Sequence, residues 1–194
     1  MKLRLLVVFA LLIIPITGCQ RRTPPVAAPP PQVVVDDSAA RARADSIAAA
    51  ELARRQLAET EAARRAQMAR AQELLTTVVF FDYDSSDLST ETEDRLRGKA
   101  TLLRANPSLE IRIEGHADER GSTEYNLALG QRRAESVRTF ISGYGIDPNR
   151  LATISYGKER PAVPGSTETA YARNRRAEFA VTAGEISAIP QEIF

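Results

Sequence analysis

From Asp36 to Leu75 the chain contains neither glycine nor proline and is built mainly of alanine, arginine and glutamate. That composition commits the stretch to a helix. At 1.5 Å per residue, a helix of about 40 residues is about 60 Å long. It reads as a spacer, so a core has to come from the residues beyond it. Seven acidic residues (Asp36, Asp37, Asp45, Glu51, Glu59, Glu61, Glu73) stand against seven arginines (Arg41, Arg43, Arg54, Arg55, Arg64, Arg65, Arg70), and the segment is neutral. Glu51 with Arg55 and Glu61 with Arg65 form favourable i, i+4 pairs. The interleaved acids argue against a nucleic-acid role for the arginines. Ile47, Leu52, Leu57, Met68, Leu74 and Leu75 keep no sustained heptad, so no stable coiled coil is specified.

The residues before the spacer have two distinct compositions. Thr23 to Gln32 carries five prolines and reads as a polyproline-type linker. Lys2 and Arg4 precede an apolar run, Leu5 to Ile16, which is shorter than the roughly 20 residues a membrane-spanning helix needs. This is a signal-peptide pattern. It ends in Ile16-Thr17-Gly18-Cys19, which resembles a bacterial lipobox. Cys19 is the single cysteine, so no internal disulfide is available. Lipidation would consume that thiol, and two or three acyl chains anchor stably where one does not. Gln20 after the cysteine, by resemblance to enteric sorting signals, favours the outer membrane. The expected divisions are residues 1–18 as signal peptide, 19–35 as lipidated linker, 36–75 as spacer, 76–183 as a globular domain and 184–194 as a tail without a readable role. Formal net charge is +1, which by itself implies no anionic partner.

Within the domain, Thr76 to Asp82 reads as a buried strand, ending in the turn-rich Asp82-Tyr-Asp-Ser-Ser-Asp87. Thr90 and Glu93 have capping-box spacing, and Leu96, Ala100 and Leu103 follow at i, i+4, i+7 until Asn106-Pro107. Leu109 to Glu114 alternates as a second strand and stops at Gly115. Ser122 is the expected N-cap of a helix from Thr123 to about Ser142, with Leu127, Val137 and Ile141 toward the core. Arg150 to Tyr156 is a third strand, Thr167 to Ala172 a short helix and Arg176 to Val181 a fourth strand. The order β-α-β-α-β-(short α)-β implies an α+β domain: helices on one face of a small mixed four-stranded sheet, preceded by the long Ala/Arg/Glu helix.

The functional residues are expected where the second strand meets the second helix. Asn126, Gly130 and Arg133 share a helix face that rises from the loop holding Asp118. A carboxylate, a carboxamide and a guanidinium around a glycine suit a small zwitterion: Asp118 for the ammonium, Arg133 for the carboxylate, Asn126 to orient it, and Gly130 to leave room. The same Asp118 and Arg133 can instead form a structural ion pair. Of Arg175 and Arg176, neighbours at the start of a strand, one could reach the site. His116 is the single histidine, and without a converging ligand set a structural role is expected for it rather than metal binding. No nucleophile elbow, metal cluster or free reactive cysteine supports an enzyme.

The motifs Gly-His-Ala-Asp-Glu-Arg-Gly (115–121), Tyr125-Asn126, Gln131-Arg-Arg-Ala134, Ser155-Tyr-Gly-Lys-Glu159 and Asn174-Arg-Arg-Ala177 resemble the OmpA C-terminal-like domain family. Within it they are most similar to the peptidoglycan-associated lipoproteins of Tol–Pal systems. The resemblance spans about Val78 to Val181. It implies the same fold, no catalysis, no cofactor beyond the lipid on Cys19, and non-covalent binding of the diaminopimelate of peptidoglycan stem peptides. By position, Asp118 and Arg133 match the family's ligand-clamping pair, Asn126 its helix contact, and Phe81-Asp82 the strand end lining the pocket. Outer-membrane anchoring, exchange with TolB and other Tol components, and a part in cell division are implied in the same way. The alternative is a cell-wall anchor of another envelope, secretion or motor complex without Tol partners.

Overall fold

The computed structural model describes residues 37–193; the signal peptide, Cys19 and the proline-rich linker lie outside the described residues. Residues up to Ser46 separate as one unit and those from Ile47 onward as a second. The elements in order are α1 (Ser38–Thr76), β1 (Val79–Phe80), α2 (Thr90–Ala105), β2 (Glu110–His116), α3 (Thr123–Gly143), β3 (Leu151–Gly157), α4 (Glu168–Asn174) and β4 (Arg176–Ala183). Short 3-10 turns cover Pro148–Arg150 and Gln191–Ile193.

The four strands form one mixed sheet in the order β1-β4-β2-β3. β2 and β3 run parallel and are joined through α3, while β4 lies antiparallel to both β1 and β2. Inserting β4 between the first two strands makes the sheet mixed, because a parallel pair needs a crossover helix and an antiparallel neighbour does not. Alternation along the strands then sorts the faces. Ile111, Ile113, Ala177 and Phe179 join Leu96, Ala100 and Leu103 of α2 and Val137 and Ile141 of α3 in one apolar cluster. The α+β class and the helical face of the sheet are as the sequence implies.

Several boundaries move for identifiable reasons. Thr76 closes α1 instead of opening a strand, and β1 keeps two residues, paired through Val79↔Ala177 and Phe80↔Arg176. The α2 cap is Ser89 rather than Thr90: its hydroxyl accepts from the Thr92 amide at 3.3 Å. Leu127 is 49% exposed, because Leu129 and Ala134 are the buried α3 positions on the side that meets the sheet. The tail is held by Asn106, whose Oδ1 accepts from the Ser187 and Ala188 amides at 2.8 Å. Ile186, Ile189 and Ile193 pack on the core there.

The last turn of α1 is part of that core. Ala71 and Leu75 are buried, and Lys99 of α2 reaches under the helix end. Its Nζ donates to the carbonyls of Leu74 (2.6 Å), Leu75 (2.9 Å) and Thr77 (2.7 Å), groups that a helix C-terminus leaves without partners. Burial, with Arg95 adding to it, pushes this ammonium down to about 7. The negative end of the α1 dipole and the Phe179 ring at 4.0 Å favour the charged form instead. Lys99→Met should therefore lower the unfolding free energy by about 3 kcal/mol, since three carbonyls lose their donor. Urea denaturation measures this, and amide exchange over residues 71–76 should accelerate with it.

Candidate functional site

The site is built where β2 hands over to α3. Ala117 donates its amide to Gly157 O at 2.8 Å, which keeps the chain on the sheet one residue beyond β2. Ser122 caps α3 by accepting from the Tyr125 amide at 3.2 Å, as its position before the helix predicts. The face carrying Asn126, Gly130 and Arg133 turns inward, and all three are buried. The spacing suggests clearance for a ligand at Gly130, but the structure gives that clearance to the sheet. A Cβ on Gly130 would meet Ser155 Oγ at 2.3 Å, and one on Gly115 would meet Gly130 O at 1.8 Å.

That close approach brings Arg133 to the end of the sheet, fully buried. Its Nε donates to Ser85 O (2.8 Å), Nη1 to His116 O (2.8 Å) and Nη2 to Asp82 O (3.0 Å). The Phe81 ring lies 5.2 Å from the guanidinium. Burial lowers the Arg133 pKa to about 10 against the pull of Asp118, so the group stays charged at neutral pH. Three bonds leave two of the five guanidinium N–H groups for another acceptor.

Asp118 pairs elsewhere. Its Oδ1 accepts from the Arg120 amide (3.1 Å) and Nε (3.3 Å), and its Oδ2 from Arg120 Nη2 (2.7 Å) and Arg175 Nη1 (3.4 Å). No salt bridge joins Asp118 to Arg133 among the described residues. Burial draws the Asp118 carboxyl upward, but the bonds from Arg120 and Arg175 outweigh it and hold the group below the usual carboxylate range. Arg120 is in turn stacked between Tyr83 (4.1 Å) and Tyr171 (4.4 Å) and reaches Glu168 at 3.3 Å.

Between these groups is a cavity of about 120 Å³ lined by Tyr83, Asp84, Asp118, Arg120, Tyr125, Asn126 and Arg133, among others. That is roughly the liquid volume of four waters, the scale of one compact charged headgroup. A larger cleft of about 510 Å³ shares Phe81, Asp82 and Arg175 with the site but takes in neither Asp118 nor Arg133. The smaller cavity, where buried charges of both signs converge, is the better candidate.

The other sequence candidates divide cleanly. Asn126 Nδ2 donates to Arg120 O at 2.8 Å and shapes the loop. Phe81 and Asp82 contribute a ring and a carbonyl beside Arg133. Arg175 faces the site, bonding Phe81 O (3.1 Å), Glu168 (2.8 Å) and Asp118. Arg176 turns to the opposite face of the sheet and pairs with Glu178 at 2.5 Å. His116 is 1% exposed, and burial followed by the charge of Arg176 pushes it down to about 4, so its ring is neutral. Tyr83, Asp84, Glu168 and Tyr171 are not singled out by the sequence, and Tyr125 enters there only through the Tyr125-Asn126 motif, without a site role. Arg120 had a local signal: its amide closes an Asx turn on Asp118, two residues back.

Comparison with known proteins bears on this geometry. The model of the OmpA family matches residues 80–175. The peptidoglycan-associated lipoprotein of Haemophilus influenzae is 47% identical over 102 residues, covering 53% of this chain and 67% of that protein. The chain belongs to the OmpA family. The protein of the same name from Brucella melitensis is 50% identical over 99 residues, 51% of this chain and 59% of its own length. The matched part thus spans about three fifths to two thirds of these relatives. The crystal structure of the peptidoglycan-associated lipoprotein from Burkholderia pseudomallei superposes with a TM-score of 0.53 at 41% identity, covering 54% of this chain and 89% of that one. The matched stretch of this OmpA-like domain begins at Phe80, the second residue of β1, contains Asp118, Asn126, Arg133 and Arg175, and ends one residue before β4.

Two substitutions test the construction of the site. Arg133→Met leaves the carbonyls of Asp82, Ser85 and His116 without their donor and should cost about 3 kcal/mol of stability. Gly115→Ala forces a methyl into the α3 backbone and should cost at least as much, about 3 kcal/mol. Both are read from urea midpoints at unchanged m-value.

Proposed function

We propose that this chain is an outer-membrane lipoprotein whose OmpA-like domain binds peptidoglycan without covalent chemistry, holding the membrane to the cell wall. The observation that carries the reading is the 120 Å³ cavity with the buried Asp118 and Arg133 on its wall. The side-chain end of diaminopimelate offers an ammonium and a carboxylate on one carbon. Asp118 takes the ammonium, and the two uncommitted N–H groups of Arg133 take the carboxylate. Arg120 has to yield part of its grip on Asp118 for the ammonium to enter, and its two tyrosine faces can keep its guanidinium nearby. Asn126 holds the Arg120 backbone, and Phe81, Asp82 and Arg175 hold the rim.

The names of the relatives support wall association as the function and offer no reaction for the domain to catalyse. In this reading residues 76–183 are the wall-binding module, 36–75 the spacer and Cys19 the lipid attachment point. No helix among the described residues is long and apolar enough to cross a membrane, which fits a lipid anchor. Exchange between peptidoglycan and TolB, and work with the other Tol components in envelope integrity and division, extend the same proposal.

Co-sedimentation with sacculi containing diaminopimelate tests it. Asp118→Ala should lose binding by tenfold or more, about 1.4 kcal/mol, while circular dichroism stays that of the parent. Undiminished binding by the folded variant rejects this site. Arg133→Ala is the weaker test, because that residue also holds three backbone carbonyls. Sacculi with lysine in place of diaminopimelate lack the second carboxylate and should bind less.

A pH dependence follows from the lowered Asp118 pKa. A carboxyl held below its unfolded value of about 3.9 contributes fully above that pH and loses its contribution as the pH falls through the native value. Retention of the Asp118-dependent part of binding should thus be level between pH 7 and pH 5. A fall within that window contradicts the assignment.

A further inference from the structure

The sheet face turned away from the helices carries a second cluster that the wall-binding reading does not use. Glu114 of β2 and Glu178 of β4 are directly paired across the antiparallel ladder. Like charges in that position repel. Each is steadied by an arginine two residues away on its own strand. Arg112 donates through Nε (2.8 Å) and Nη2 (2.6 Å) to Glu114 Oε1, and Arg176 Nε donates to Glu178 Oε1 at 2.5 Å. Among the described residues the second oxygen, Oε2, of each carboxylate has no hydrogen bond.

His116 completes the cluster. It follows Glu114 by two positions, so it points to the same face, and its ring lies 5.5 Å from that of Tyr156. The side chain is 1% exposed, yet neither Nδ1 nor Nε2 has a hydrogen-bond partner at normal distance and angle, the Arg160 backbone offering only a weak contact. A neutral imidazole has one donor and one acceptor, and burying both unpaired is unfavourable. The ligand atoms of Glu114, His116 and Glu178 all lie within 4.8 Å of one another. At metal–ligand bonds of 2.0–2.2 Å, tetrahedral ligands sit about 3.4 Å apart. Small rotations of the two glutamates close that difference.

We propose that Glu114, His116 and Glu178 form a divalent-cation site of zinc type. One imidazole nitrogen and two carboxylate oxygens supply three ligands, and a water supplies the fourth. Arg112 and Arg176 keep their bonds to Oε1 and orient the carboxylates from outside, as outer-shell partners of metal ligands do. Their positive charge also moderates the affinity. A cation here joins β2 to β4 at the residue whose carbonyl accepts from Arg133, and so fixes the strand end from which the Asp118 loop departs. The sequence alone points away from metal at a solitary histidine; only the pairing of β2 with β4 brings Glu178 beside it.

Because His116 is the single histidine of the chain, its imidazole nitrogen resonances can be followed without assignment ambiguity. The experiment uses the whole chain in detergent, untagged and with Cys19→Ser so that no thiol competes, titrated with zinc chloride. The expected result is a shift of one ring nitrogen that saturates at one zinc per chain, with a rise in Tm. Glu178→Gln should weaken this binding by tenfold or more while keeping an acceptor for Arg176. Imidazole resonances unmoved at about tenfold zinc excess overturn the proposal, whether or not zinc binds elsewhere. Equal affinity in Glu178→Gln overturns it too. The titration of the Cys19→Ser chain with Glu178 intact decides the matter even if Glu178→Gln fails to fold.

Discussion

The contact between Gly115 and Gly130 sets the geometry on which the rest of the domain depends. With no side chain on either residue, the α3 backbone rests against the β2 backbone at the level where the strand ends. Any larger residue would lift the helix away. At that height Arg133, one turn further along, reaches carbonyls from the Asp82–Ser85 loop and from His116 at once. Its buried guanidinium thus joins three segments that are remote in sequence. A buried charge of this kind is tolerated only when hydrogen bonds surround it.

The same arrangement gives Arg133 a structural role beside the binding role proposed for it, while Asp118 is held by other partners. Arg120 and Arg175 supply positive charge to Asp118, so the site carries its own cations before any ligand arrives. Under the proposed function, recognition of a zwitterion is an exchange of partners within a preformed network. That limits the reorganisation needed on binding and restricts the site to ligands carrying both charges.

On the opposite face, the sheet shows what tertiary pairing does to charged residues that read as unremarkable in sequence. Glu114 and Glu178 are 64 positions apart in number, and alternation predicts only that each is on the outer face of its strand. The antiparallel register puts them side by side and leaves His116 between them and Tyr156. Arg176, one residue from Arg175, belongs to this cluster rather than to the ligand cavity, because successive strand residues point to opposite faces.

Local chemistry made much of the domain legible. The absence of glycine and proline fixed α1, Asn106-Pro107 ended α2, Ser122 capped α3, and the i, i+4, i+7 spacing put Asn126, Gly130 and Arg133 on one buried face. Alternation located β2, and the charged loop after Gly115 marked the candidate site. What the sequence could not supply were relations between distant segments. These include the docking of the α1 end through Lys99, the shortening of β1 by its pairing with β4, and the use of Gly130 for sheet contact. Tyr83, Tyr171 and Glu168 around Arg120 belong with them. By itself the sequence determined which residues form helices and strands, and which charges stand near the β2–α3 junction, because these follow from propensity and spacing along the chain. Only the tertiary structure decided which charges pair, since an arginine has carboxylates and carbonyls within reach from several segments, and strand register and helix height select among them.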